Sequence, residues 1–391
     1  MKKALVIGSG ISGCTVALEL AQQGTAVAIV ESAPAVGGKV VSYCCKATTE
    51  CSRCGVCVAH TNISKALRHD KVSVYTGAAI ETCGNNGKNV TCNVTIRNPR
   101  IDYHTCIECD ACIDACPAQC ITKYHRAELT QYIVDHDACL LSRGKKCNKC
   151  AAACPVSAIH TGGATSRKKL SAEAAVVATG HDPYDATGKP RFSYGRFDQV
   201  LNGEEAEKLL SSQDYLRKPG ESVAFIQCVG SRDPQIKRNY CSSVCCAYAL
   251  RMARVLKHRN PESDVTIYYI DIQNFDKAFT DLRNKLAAEG VKFIRGIPFT
   301  IEQDGNGKLK LKIEDPRGGE KTVEHDTVVL SVGMGPGKGA AALAEKMKLE
   351  QDEFGFFKSD QPNVFVTGTC AAPQSITESM AKARAVAADM V

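Results

Sequence analysis

No apolar run in the 391 residues approaches the roughly 18 that a membrane-spanning helix needs, so no direct membrane span is predicted. Tryptophan is missing altogether, and neither sign of charge dominates: 49 Lys and Arg stand against 42 Asp and Glu. A net charge of +7 spread that thinly predicts no nucleic-acid binding. The N-terminus passes from Met1-Lys2-Lys3 straight into the strand-like run Ala4-Leu5-Val6-Ile7. A secretory leader needs a longer apolar stretch and a small-residue cleavage site, so a cytoplasmic protein is expected. No histidine pairs with a cysteine or carboxylate at useful spacing, and no Ser-His-Asp order stands out. No catalytic side chain is therefore assigned, and His104, His125 and His136 read as surface residues. Chemistry is left to bound cofactors. What the chain has in excess is cysteine, 22 residues in all. Disulfides are rare in a reducing compartment, so this number points to metal. With 44% apolar and 23% charged residues, a disordered tail, a collagen and a small disulfide scaffold are excluded, and the length predicts two or three structural units.

The first thirty residues form a βαβ pattern. The strand Ala4–Ile7 runs into Gly8-Ser9-Gly10-Ile11-Ser12-Gly13, a helix follows over Cys14–Gln23, Gly24 breaks it, and Val27–Val30 ends at Glu31. In such a turn Gly8 allows the tight bend, Gly10 lets backbone approach a pyrophosphate, and Gly13 lets helix pack on strand. The helix N-terminus at Ile11 and Ser12 offers unpaired N–H groups to phosphates. Glu31, at the tip of the second strand, can accept from a ribose hydroxyl.

Gly37-Gly38-Lys39 follows shortly after Glu31, and this second glycine pair resembles the two-dinucleotide-binding flavoprotein family. Ala178-Thr179-Gly180 is similar to that family's return to the flavin domain, and Asn363–Gly368 to its C-terminal strand and loop. The resemblance implies FAD, with Gly368 and Thr369 at the ribityl end. Thr369 stands where the family usually has Asp. The implied fold class is α/β, doubly wound sheets in two dinucleotide-binding-type domains, with an insert.

The insert carries an internal repeat. Cys106, Cys109, Cys112 and Cys116 run as Cys-x2-Cys-x2-Cys-x3-Cys-Pro, and Cys139, Cys147, Cys150 and Cys154 end in the same way. This resembles the bacterial two-cluster ferredoxin, in which the fourth thiolate of each run crosses to the other cluster. The implied sets are Cys106, Cys109, Cys112 and Cys154 for one 4Fe–4S cluster, and Cys139, Cys147, Cys150 and Cys116 for the second. Structural zinc uses two separated Cys pairs and fits poorly. Cys120, at the repeat position held by Ala158, reads as a packed thiol, as does Cys14. Cys83 and Cys92 have no ligand spacing.

Phe225–Asp233, around Cys228, and Tyr240-Cys241-Ser242-Ser243-Val244-Cys245-Cys246 closely resemble the HdrA family, the flavin-carrying component of heterodisulfide reductase, as does Tyr269–Ile272. That resemblance implies a third, non-standard 4Fe–4S cluster on Cys228, Cys241, Cys245 and Cys246. It covers almost the whole chain but lacks the family's long extensions. Such short forms occur in multi-subunit electron-transfer complexes, including class II benzoyl-coenzyme A reductase. A fourth cluster is expected on Cys51, Cys54 and Cys57, with Cys44 or Cys45 as its remaining ligand.

The expected organisation is a FAD domain over 1–100, 166–219 (return and linker) and 326–391, a ferredoxin-like insert over 101–165, and a second nucleotide-binding-like domain over 220–325. In the last of these, Gln227-Cys228-Val229-Gly230-Ser231 has one glycine where a dinucleotide turn wants three, and Asp271 reads as a solvated or capping residue. The expected function is a FAD and iron–sulfur electron-transfer subunit that relays or splits electron pairs between partner redox subunits. The alternatives are a stand-alone NAD(P)H oxidoreductase and a non-catalytic iron–sulfur scaffold.

Overall fold

A computed structural model describes residues 1–211, 220–273 and 277–391. Residues 212–219, the end of the expected linker, lie outside the described residues. The first sheet has five parallel strands in the order Val364–Val366, Ala174–Val177, Lys3–Ile7, Ala26–Val30, Val72–Tyr75. Its central strand is buried over Ala4–Ile7, as expected of a parallel strand covered on both faces. Helices Ile11–Gln22, Val56–Arg68 and Ile376–Asp389 cover one face. An antiparallel sheet of Ala78–Asn85, Val90–Arg97 and Thr165–Ala172 covers the other. The first helix begins at Ile11, three residues before the sequence pattern places it, because Gly13 is part of its first turn. Gly24, at φ +91°, ends it by donating to the Ala21 carbonyl at 2.9 Å. The last helix opens on a reciprocal cap between Ser375 and Glu378.

The second sheet is also parallel and five-stranded: Val200–Asn202, Thr327–Val332, Ser222–Val229, Asp264–Tyr269, Lys292–Arg295. The helix Cys245–Arg259 packs on one face, and a meander of Thr300–Gln303, Leu309–Glu314 and Glu320–His325 on the other.

The cysteine-rich insert is built on the hairpin Ile121–Arg126 and Leu129–Val134. Its residues Ile121, Leu129 and Tyr132 share one buried cluster with Val16 and Ile63 of the first domain. Gln131, fully buried, accepts from the Val36 N–H at 2.8 Å and donates to the Val36 carbonyl at 2.9 Å.

Two expectations need correction, and one cysteine pair proves to be bonded. His136 is buried, not at the surface: its ring meets the Ser142 hydroxyl at 2.9 Å, and a Cβ on Gly77 would lie 2.9 Å from its Nε2. Asp271 is not merely solvated: it forms a two-pronged ion pair with Arg232, one contact being 3.0 Å. Cys83 and Cys92, which have no ligand spacing, are directly opposite each other in neighbouring strands and form a disulfide.

Candidate functional site: a dinucleotide crevice and grouped thiols

The crevice at the end of the first sheet is shaped by glycines with different jobs. A Cβ on Gly8, whose φ is +101°, would lie 2.4 Å from the Ala178 carbonyl oxygen, and one on Gly13 2.0 Å from the Gly8 oxygen. These two hold strand, turn and helix together. A Cβ on Gly10 would meet nothing within 4 Å. That position faces open space at the N-terminus of the Ile11–Gln22 helix, where a pyrophosphate would be held by free N–H groups. Gly37 donates to the Ser9 carbonyl at 2.9 Å, and Gly38 places its α-carbon face against Gly10. Glu31 accepts from the Ser9 N–H at 2.8 Å, the Ser9 hydroxyl at 2.7 Å and the Ala33 N–H at 2.8 Å. Its carboxylate is thus fixed at the mouth of the turn.

Opposite, a Cβ on Gly368 would strike the Ser12 hydroxyl at 2.3 Å. Close approach there brings Ser12, Gly368 and Thr369 to one edge of the crevice. Thr369 meets the Nδ1 of His181 at 2.9 Å. His181 is a site residue the sequence reading missed, although it directly follows Ala178-Thr179-Gly180. Burial, and then the nearby Lys39 ammonium, hold its pKa down at about 4, so the ring is neutral at physiological pH. Lys39 itself pairs at 2.9 Å with Glu204, on the helix Gly203–Ser211 that follows the edge strand of the second sheet, so residues 200–211, expected in the linker, pack with the second domain. The cradle fits an extended dinucleotide such as FAD.

In the insert, Cys106, Cys109, Cys112 and Cys154 line one small cavity, walled by Ile101 and Ile159. Burial and then Cys106 push the Cys112 thiol up to about 11, with Cys150 and Cys109 adding to it. The Cys150 thiol is raised by burial and then by Cys139, Cys147 and Cys116. Each expected set is therefore close enough for its members to act on one another, and Cys112 with Cys150 makes the two sets neighbours. Bare thiolates crowded in this way repel; the positive charge of iron reverses the sign. Among the described residues no three His, Cys, Asp or Glu side chains converge tightly enough for a single metal ion.

The third group is assembled by a strand end, a loop and a helix. Cys228 ends a bulged stretch of the Ser222–Val229 strand, and Cys245 and Cys246 are the first residues of the Cys245–Arg259 helix. Burial and then Cys246 push Cys228 up to about 11, with Cys241 adding to it. Cys245 is raised by burial, then by Cys228, Cys246 and Cys241, so the four thiols lie within electrostatic reach of one another. Cys228, Arg232 and Ser243 take left-handed backbone at φ +61°, +53° and +60°. Such strain, of order 1–3 kcal/mol per residue, gathers at functional sites. The Gln227 amide and the Ser231 hydroxyl are buried without a partner, which leaves donors free for the sulfides of a cluster. Soft thiolates, apolar walls and spare donors fit iron–sulfur chemistry. Tyr184 packs against Gly230, within 2.0 Å of where a Cβ would be.

The last group is looser. Cys45, Cys51 and Cys57 are exposed and Cys54 half-buried. Cys44 faces away from them into the second domain's core, beside a buried ion pair of Lys46 and Glu207. Its N–H donates to Glu207 at 2.7 Å. The loop is held to the helix that carries Cys245 and Cys246: Arg251 donates to the Ser52 carbonyl at 3.3 Å, and Arg254 reaches Glu50 at 3.6 Å.

Residues 6–70 match the NAD(P)-binding Rossmann-like domain family, and residues 105–158 the 4Fe-4S dicluster domain family. The thioredoxin reductase of T. acidophilum superposes over 100% of this chain and 98% of its own with a TM-score of 0.55 at 15% identity. That of Lactococcus lactis does so with a TM-score of 0.56 at 13% identity, covering 100% and 98%. Fold and thiol pattern together define a two-dinucleotide-binding-domain flavoprotein architecture with an inserted dicluster domain. Within that class, the chain is 30% identical to the HdrA component of the H(2):CoB-CoM heterodisulfide,ferredoxin reductase of Methanothermobacter marburgensis, over 99% of its own length and 63% of the relative's. It is 29% identical to the HdrA component of the ferredoxin:CoB-CoM heterodisulfide reductase of Methanosarcina acetivorans, over 98% and 55%. It is a homologue of the HdrA component of heterodisulfide reductases, and spans less than two thirds of the length of these relatives. No helix among the described residues is long and apolar enough to cross a membrane.

Proposed function

We propose that this protein is an electron-transfer subunit of an oxidoreductase complex in the cytoplasm of an anaerobic cell, taking up and releasing electrons through other redox subunits. The observation that carries the reading is the gathering of four thiols within electrostatic reach of one another around Cys245, at a turn with one glycine where a dinucleotide turn wants three. FAD when bound supplies exchange between electron pairs and single electrons, and iron–sulfur clusters supply one-electron relays.

In this reading Gly10, Ile11, Ser12 and Gly13 hold the pyrophosphate, Glu31 the ribose, and Gly37, Gly38 and Lys39 the opposite wall. Ala178, Thr179, Gly180, Gly368 and Thr369 close the ribityl end, where neutral His181 fixes the Thr369 hydroxyl. The two ferredoxin-type sets and the Cys228, Cys241, Cys245 and Cys246 set hold three clusters. Cys45, Cys51, Cys54 and Cys57 hold a fourth, with Cys45 preferred because Cys44 is buried elsewhere. The exposure of Cys45, Cys51 and Cys57 makes that loop the natural exit toward a redox partner. Splitting of electron pairs between two partners is the finer form of this function.

Anaerobic purification with flavin, iron and sulfide analysis tests the assignment. One FAD and at least about twelve irons, from three cubanes, are expected. Fewer than about eight irons would overturn the ferredoxin assignment.

One observation favours the NAD(P)H-dependent alternative. A cavity of about 350 Å³, lined by Lys189, Arg191 and Arg232, opens at the carboxyl ends of the second sheet. Anaerobic mixing with NADH separates the readings: rapid bleaching of flavin without any partner belongs to the alternative.

A further inference from the structure

The two halves of the insert differ at the position four residues after the last cysteine of each run. Cys120 lies four residues after Cys116, and its sulfur sits 3.4 Å from the Cys116 sulfur. Cys139 lies near it as well, linked through Asp135 by backbone hydrogen bonds. Cys120 is buried, and its place is set by backbone. Gln119, in left-handed conformation at φ +48°, donates to the Cys116 carbonyl at 3.1 Å and folds the segment back. Asp135 then donates to the Cys120 carbonyl at 2.8 Å, and Cys139 to the Asp135 carbonyl at 2.9 Å. A fifth thiol is thus held against Cys116 and near Cys139, both assigned to the second cluster. In the other half the equivalent residue, four after Cys154, is Ala158, whose N–H donates to the Cys154 sulfur at 3.3 Å.

We propose that Cys120 is a reserve ligand of the second cluster, able to take the corner that Cys116 fills. This rests on the two-cluster reading of the insert. In the exchange the iron–sulfur bond to Cys116 breaks as one to Cys120 forms. The thiol proton of Cys120 passes to the released Cys116 thiolate along their contact, so charge and atoms balance and no oxidant is used. The first cluster has no such reserve, so the insert is robust on one side and fragile on the other.

The test uses the full-length protein, purified anaerobically, with iron and sulfide content and electron paramagnetic resonance as readouts. Cys116→Ala is expected to keep the wild-type iron content with altered resonance from one cluster. Cys154→Ala is expected to lose about four irons. Adding Ala158→Cys to Cys154→Ala should restore them, and Cys116→Ala with Cys120→Ala should lose them. Cys116→Ala losing as much iron as Cys154→Ala overturns the proposal, as does loss of a cluster from Cys120→Ala alone. Should Cys116→Ala fail to fold, Cys120→Ala carries the test: it must yield iron to a chelator faster than wild type, and equal rates overturn the proposal. A wild-type protein without two clusters in the insert would instead overturn the two-cluster reading itself, and the proposal with it.

Discussion

Replacing Gly10 by alanine separates what the crevice does for folding from what it does for binding. Gly10 has φ −65° and ψ −179°, a conformation alanine adopts freely, and a Cβ there touches nothing within 4 Å. The Gly10→Ala protein should therefore fold with wild-type stability. The added methyl projects into the space reserved for a pyrophosphate and pushes phosphate away from the helix N–H groups. Losing one hydrogen bond to a charged group is worth about 1.5–3 kcal/mol, so FAD affinity should fall about tenfold to 150-fold. Gly13→Ala is the contrast. Its Cβ would sit 2.0 Å from the Gly8 oxygen and 3.1 Å from Val6, so backbone must move, and overpacking of this kind costs about 1–3 kcal/mol of stability. Titrating FAD into flavin-depleted protein, with circular dichroism melting alongside, gives both quantities. A Gly10→Ala protein that binds FAD like wild type would show that the open space at Gly10 is not the phosphate site.

Serine in place of Cys245 should remove about four irons while leaving FAD bound, since the thiol group and the flavin crevice are in different domains; unchanged iron content would remove Cys245 from the ligand set. Lys46→Met should destabilise by about 3–5 kcal/mol, because it strands the buried Glu207 carboxylate, and adding Glu207→Leu should recover most of the loss. A double variant no more stable than the single one, by thermal melting, refutes this. Burial lowers the pKa of His325 from 6.5 to about 4 while its ring bonds Ser222 at 2.7 Å and Tyr268 at 3.0 Å. The unfolded chain binds that proton first, so the contribution is intact above pH 6.5 and about 3 kcal/mol is lost as pH falls toward 4. His325→Asn should flatten that part of a stability-versus-pH curve; an unchanged slope would assign the loss to other groups.

Local patterns were legible in the sequence because the chemistry leaves little freedom. A phosphate turn needs its glycines at fixed places, and cysteines in a Cys-x2-Cys-x2-Cys run have few other uses. The third group could be read only by resemblance, since Cys228 and Cys241 are brought together by a strand end and a long loop, not by spacing. What escaped was set by pairings that no local spacing rule marks. His136 is buried because Gly77 leaves room for its ring. Asp271 finds Arg232 across 39 residues, and Lys46 finds Glu207 across 161. Cys83 and Cys92 carry no ligand spacing, yet hairpin register sets them face to face.

The Gln131 amide clasped to both backbone groups of Val36 has a wider meaning. The cysteine-rich insert is not a bead threaded on a string that could be clipped out and replaced. It supplies part of the wall behind the flavin domain's own helices. Excising it would strip Val16 and Ile63 of their covering, so any lineage that lost its cubanes would have to rebuild that wall. The spacing between the insert's thiols and the nucleotide crevice is consequently a property of one shared interior.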